Sequence, residues 1–113
     1  MNSDAVVMAD TIQWQDTDPG VKRKILGYDE ELMMVCVEFE KGAVGSLHKH
    51  PHRQVTFVAR GTFEITVGTT KRTIKQGDSF FVRSNIEHGV VALDAGTLVD
   101  VFTPAREEFL RTE

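Results

Sequence analysis

Apolar side chains recur at every second position along almost the whole chain, and no long stretch keeps a helical period. That is the spacing of strands, in which successive residues face opposite sides of a sheet. "LMMVCVEFE" puts Met33, Val35, Val37 and Phe39 on one face. "QVTFVA" groups Val55, Phe57 and Ala59, and "TFEITV" groups Phe63, Ile65 and Val67. In "TLVDVFT", Leu98, Asp100 and Phe102 share one face while Val99 and Val101 share the other. "VKRKIL", "KRTI", "SFFV" and "VVAL" add shorter runs, and "KGAVG" (41–45), "RG", "GTT", "KQGD" and "DAG" supply turns. Roughly eight to ten short strands at such close spacing predict an all-β sandwich or barrel. "AREEFLRT", following Pro104, predicts one short C-terminal helix. Residues 1–11 carry little pattern and are expected to form a flexible N-terminal segment, leaving residues 12–113 as a single domain.

The composition narrows the partners. A chain of 113 residues can bury one core. Net charge is −4 with both signs interspersed, and no basic stripe is interleaved with aromatic residues, so nucleic acid is not an expected partner. "VKRK" at 21–24 is the one basic cluster, and its alternation assigns it to a solvated face. No apolar stretch approaches bilayer length and no leader is visible, so the expectation is a soluble cytoplasmic protein with no membrane partner. The single cysteine, Cys36, lies in an apolar run and reads as a small hydrophobe in a reducing compartment.

The segment "GSLHKHPHRQVTFVARG" departs from this plain pattern. It places His48, His50, His52 and Gln54 on one parity. Side chains at i and i+2 of a strand point the same way, so His48 and His50 can both reach one ion. Gln54 shares their parity, although Pro51 interrupts the strand, and the fourth histidine, His88, opens another strand. Such nitrogen and oxygen donors suit manganese, iron, cobalt, nickel or zinc better than magnesium or calcium. Surface exposure of an isolated His-x-His pair is the plainer alternative.

"GAVGSLHKHPHRQVTFVARG" resembles the first motif of the cupins, with Gly42, His48, His50 and Gly61 in place and Gln54 where most cupins have glutamate. "GDSFFVRSNIEHGVVA" is similar to their second motif through Gly77 and His88, and departs from it at Arg83, Asn85 and Ala92. The resemblance implies a double-stranded β-helix, a jelly-roll barrel, holding a divalent transition metal on His48, His50, Gln54 and His88. His52 has no place in that set; it supports a ligand, faces a substrate or lies on the surface. With a neutral amide in place of a carboxylate, the ion would keep its full formal charge and favour an anionic ligand.

If Leu98 and Phe102 face the barrel interior, so does Asp100, and an inward carboxylate is costly unless paired or hydrated. Arg106 is the expected partner: the two form either a strand-to-helix clasp, or an acid/base group beside an arginine that recognises carboxylates. "GVKRKILGYDEELMMV", "FEKGAVG" and "DVFTPAREEFL" resemble the KdgF-type pectin-degradation proteins over residues 12–110. The resemblance implies a metal-dependent enzyme that linearises 4,5-unsaturated monouronates, sugars released in pectin and alginate breakdown, to 5-keto-4-deoxyuronate. Asp100, Phe102 and Arg106 then stand at the functional positions, and Glu87 replaces a common proline at the pocket rim. A homodimer is expected from exposed barrel edges. The alternatives are a non-catalytic cupin that binds a sugar acid or metal, and another metal-dependent cupin enzyme such as a dioxygenase or sugar isomerase.

Overall fold

The computed structural model describes residues 1–111, and these form ten strands in two antiparallel sheets. In chain order the strands are β1 (Gln15–Asp18), β2 (Val21–Tyr28), β3 (Met33–Phe39), β4 (Val44–His48) and β5 (Arg53–Arg60), then β6 (Thr62–Val67), β7 (Thr70–Lys75), β8 (Ser79–Val82), β9 (His88–Ala92) and β10 (Gly96–Thr103). One sheet runs β1-β2-β3-β10-β5-β8 and the other β4-β9-β6-β7. Chain neighbours such as β4 and β5 lie in different sheets, so the chain winds between the two layers as a jelly roll does.

The core lies between the layers and follows the alternation. Met33, Val35, Val37 and Phe39 of β3 are buried together with Phe63 and Ile65 of β6, Ala92 of β9, and Leu98 and Phe102 of β10. Phe39 and Phe63 meet edge-to-face at 5.3 Å across the layers, a favoured aromatic geometry. Gly61 makes the tight β5–β6 turn at φ +91°, where a Cβ would stand 2.8 Å from the Ala95 carbonyl oxygen. Only glycine fits that position.

The sequence pattern hides an inversion in β5. Val55 and Phe57 share a face, as their spacing predicts, but it is the outer one, where they are 43% and 49% exposed. The inward face of the strand carries Gln54, Thr56 and Val58, all buried. Register explains why this is tolerated: Gln54 pairs with Phe102 and Thr56 with Asp100 of β10, so the inward polar groups lie side by side. Three polar side chains, Gln54, Thr56 and Asp100, therefore replace part of the core there, and Gln54 and Asp100 line a cavity.

Two expectations need correction. The C-terminal helix is a single 3-10 turn, Glu107–Leu110. Its first residue has no side-chain cap, and four residues are too few to offset the cost of nucleating an α-helix. The turn is held by packing of Phe109 and Leu110 on the core and by an Ala105 N–H bond to the Glu30 carbonyl at 3.1 Å. The last residues of "AREEFLRT" lie outside the described residues. "VKRK" is not wholly a solvated face: Arg23 has the inward parity of buried Val21 and Ile25 and lines the cavity. Near the N-terminus, Ser3 exchanges backbone and side-chain hydrogen bonds with Tyr28, and Ala9–Thr11 forms a 3-10 turn. Among the described residues no helix is long and apolar enough to cross a membrane.

Candidate metal centre

His48 ends β4, His88 opens β9, and the register sets the two directly opposite each other. His50 follows β4 after one residue and turns toward the same point. The imidazole centroids lie 4.3 Å apart for His48 and His88, 4.8 Å for His50 and His88, and 5.5 Å for His48 and His50. One nitrogen from each ring falls within 4.8 Å of the others.

Each ring is fixed by a main-chain carbonyl on its far side. Nδ1 of His48 meets the Ser46 carbonyl at 2.8 Å, Nδ1 of His50 the His52 carbonyl at 3.0 Å, and Nδ1 of His88 the Ile86 carbonyl at 2.8 Å. A carbonyl only accepts, so each Nδ1 carries the proton and each Nε2 presents a lone pair. His88 Nε2 is buried without a hydrogen-bond partner. His50 Nε2 faces Gln54 Oε1 at 3.1 Å. The amide end of Gln54 is already committed, donating to Thr56 Oγ1 at 2.9 Å and to Asp100 Oδ1 at 3.4 Å. Two acceptors facing each other repel unless a cation or proton lies between them. Burial, helped by Arg106 and His88, pushes His50 down to about 4, and burial also lowers His88. Neutral imidazoles are the form that ligates metal, so the donor set fits a divalent ion.

Asp100 and Gln54 extend the centre into the cavity of about 320 Å³ that His48, Phe102 and Arg106 also line. The Thr56 hydroxyl donates to Asp100 Oδ1 at 2.6 Å and accepts from Gln54, so one chain of hydrogen bonds joins Gln54 to Asp100. Burial pushes Asp100 up to about 6, against the opposing pull of the Thr56 hydroxyl, Arg106 and His48. Of the two arrangements the sequence left open for Asp100 and Arg106, the clasp is not formed: Arg106 Nε donates to Glu108 at 2.9 Å, and the Thr56 hydroxyl donates to Asp100. Phe102 is buried, with its ring 5.8 Å from that of His50 and 5.1 Å from the Arg106 guanidinium carbon.

Other singled-out residues stand outside the three-histidine cluster. His52 gives its carbonyl to His50, and its own ring packs 5.4 Å away. The Glu87 side chain is exposed, and its carbonyl accepts from Gly68 N–H. Asn85, one of the positions where the sequence departs from the motif it resembles, adopts φ 62°, a conformation asparagine tolerates better than most residues. Its N–H bonds the His50 carbonyl at 2.8 Å and so ties the two histidine-bearing loops together. Thr56 and Arg23 were not singled out from the sequence, although both have the parity of buried neighbours on their strands.

The cupin domain family matches residues 35–102 of this chain. The pectin degradation protein KdgF of Dickeya dadantii (strain 3937) is 46% identical over 103 residues, covering 89% of this chain and 94% of that one. Among solved structures, an RmlC-like cupin from Shewanella frigidimarina superposes with a TM-score of 0.93 at 40% identity, over 96% of this chain and 97% of its own. KdgF from a Halomonas species superposes with a TM-score of 0.89 at 38% identity, over 93% and 99%.

Loading with a divalent transition metal at a hundred times its Kd should raise the melting temperature by roughly 10 °C, because a ligand bound only to the native state adds ~2.7 kcal/mol. His88→Ala should lose most of that rise in the same scan. An equal rise in both proteins would place the ion elsewhere.

Proposed function

Because this chain belongs to the cupin family, among its KdgF-like members, we propose that it is a metal-dependent enzyme that opens and ketonises 4,5-unsaturated monouronates. The observation that carries this reading is the convergence of three imidazoles beside a cavity that one of them, His48, shares with an inward carboxylate, Asp100. A protein that only stored a metal or bound a sugar acid would not need the carboxylate there.

The substrate is a cyclic hemiacetal whose ring oxygen joins the anomeric carbon to an enol carbon. Opening removes the anomeric hydroxyl proton, forms the aldehyde, and breaks the bond from the anomeric carbon to the ring oxygen. That oxygen keeps the electron pair as an enolate, and a proton then arrives at C4 to give the ketone. One proton leaves and one arrives, so a single group can perform both transfers and end as it began. Asp100 is assigned that role, with the Thr56 hydroxyl and the Gln54 amide fixing its oxygen. Arg106 binds the substrate carboxylate, and Phe102 packs against the sugar ring. His48, His50, Gln54 and His88 would hold a divalent ion, which when bound would supply Lewis-acid stabilisation of developing negative charge on oxygen. Gln54 adds no charge of its own to that set, which leaves the centre suited to an anionic substrate.

The outer face of the six-stranded sheet suits a second copy of the chain. Val55 and Phe57 of β5, Phe81 of β8 and Met34 of β3 are all 41–49% exposed. Register joins them through Val99 and Val101 of β10 into one apolar patch. A self-complementary patch on a twisted sheet closes as a two-fold dimer. The proposed unit is therefore a homodimer, in a reducing, cytoplasmic setting that suits the free thiol of Cys36.

Freshly generated unsaturated monouronate should lose its absorbance near about 230 nm faster with the protein than without it, and Asp100→Asn should lower the rate ~10² to 10⁴-fold. No acceleration by the wild type, or equal acceleration by the variant, would reject the assignment. In sedimentation, the wild type should run at twice the chain mass and Phe57→Glu at one. A monomeric wild type would remove the dimer.

A further inference from the structure

The roles assigned above leave two charged side chains of the cavity unused, the exposed Asp18 and the half-buried Arg23, and Arg23 is the one set among core residues. Arg23 projects from β2 between the buried aliphatics Val21 and Ile25, opposite Val37 of β3. Packing alone would place another aliphatic there, and the chain has Lys22 and Lys24 on either side for contact with water. Its guanidinium carbon lies 3.7 Å from the centre of the Phe109 ring, and that of Arg106 lies 4.4 Å from the same ring. One aromatic ring thus carries two cations.

Both arginines are anchored through Nε. Arg23 donates from Nε to Gln15 Oε1 at 3.0 Å, and Arg106 donates from Nε to Glu108 Oε2 at 2.9 Å. Among the described residues no acceptor engages the terminal amino groups of either guanidinium, and both side chains line the cavity that His48, Gln54 and Asp100 share. The two like charges repel: burial first, and Arg106 second, hold Arg23 below the usual arginine range, against the opposing pull of Glu108 and Asp18. The repulsion reverses into attraction when one anion accepts from both.

We propose that Arg23 is a substrate-binding, specificity-determining residue that closes, with Arg106, a paired-guanidinium clamp on the carboxylate of the sugar acid at the Phe109 wall. This rests on the reading of a uronate as substrate. The clamp sets the direction of binding, with the carboxylate at the arginines and the anomeric end toward Asp100. It also rejects neutral sugars, because a ligand without the carboxylate leaves two desolvated cations unmatched. Arg23 lies two strands away from the residues that carry the chemistry, so its contribution is to recognition.

The test compares Arg23→Gln and Arg23→Lys with the wild type on the unsaturated monouronate and on its methyl ester. Arg23→Gln should raise KM for the acid on the order of 10- to 100-fold, with a much smaller change in kcat, while the ester changes by less than about threefold. Arg23→Lys should recover part of the loss. Calorimetric binding of galacturonate, a saturated acid that does not react, should weaken in parallel, and bound metal should stay constant. An unaltered KM, or equal losses on acid and ester, would overturn the proposal and leave Arg23 as a brace for Phe109 and Gln15. Should the wild type not accelerate ring opening, the uronate-linearising reading falls, and the galacturonate titration alone decides Arg23: weaker binding by Arg23→Gln upholds the clamp, and equal binding removes it.

Discussion

Three lone pairs held on one point by three main-chain carbonyls are the constraint on which the rest of the site depends. Each carbonyl, from Ser46, His52 and Ile86, accepts a hydrogen bond from Nδ1 of one histidine and so fixes both its tautomer and its ring plane. The carbonyls belong to strand ends and loops that the jelly roll positions, which is how a fold built from period-two strands delivers ligands to a point. His88 is the clearest case, buried on one side by its strand and left with an unmatched nitrogen on the other. A buried polar atom without a partner costs about 1–3 kcal/mol, and a bound cation removes that cost for several donors at once.

The remainder of the cavity is organised by charge. Toward the imidazoles stands Gln54, neutral, whose oxygen faces them and whose amide is turned to Thr56 and Asp100. At the Phe109 ring stand Arg23 and Arg106. A single inward carboxylate lies among these positive groups, tethered by a hydroxyl rather than cancelled by an arginine. An ion pair at Asp100 would have locked it as a structural clasp. The hydroxyl keeps it in place without an ion pair, which is what the proposed proton transfers require. Glu108, which does not line the cavity, absorbs part of the charge of Arg106.

How much of this was legible in the sequence depends on how strongly each residue was tied to a period. The strands with buried alternating faces, Met33–Phe39, Thr62–Val67 and Gly96–Thr103, follow directly from their spacing. So does the inward parity of Asp100, and the crowding of His48 and His50. β1 was not, because all four of its residues are exposed on a sheet edge and nothing selects their polarity. The faces of β5 could not be assigned by hydrophobicity, since its apolar side is turned outward and its polar side inward. Arg23 was hidden by its lysine neighbours, which made a composite of one inward and two outward charges look like a single solvated cluster. The C-terminal segment carries a helical composition but packs on the core through Phe109 and Leu110 as a single 3-10 turn, so tertiary packing overrode propensity there.

The measurement that bears most directly on the central claim is X-ray absorption at the metal edge of the manganese- or nickel-loaded protein. The account predicts one ion per chain with three imidazole nitrogens in its inner coordination sphere, at roughly 2.0–2.2 Å. A spectrum of an ion surrounded by water and carboxylate oxygens alone, with no imidazole scattering, would contradict it.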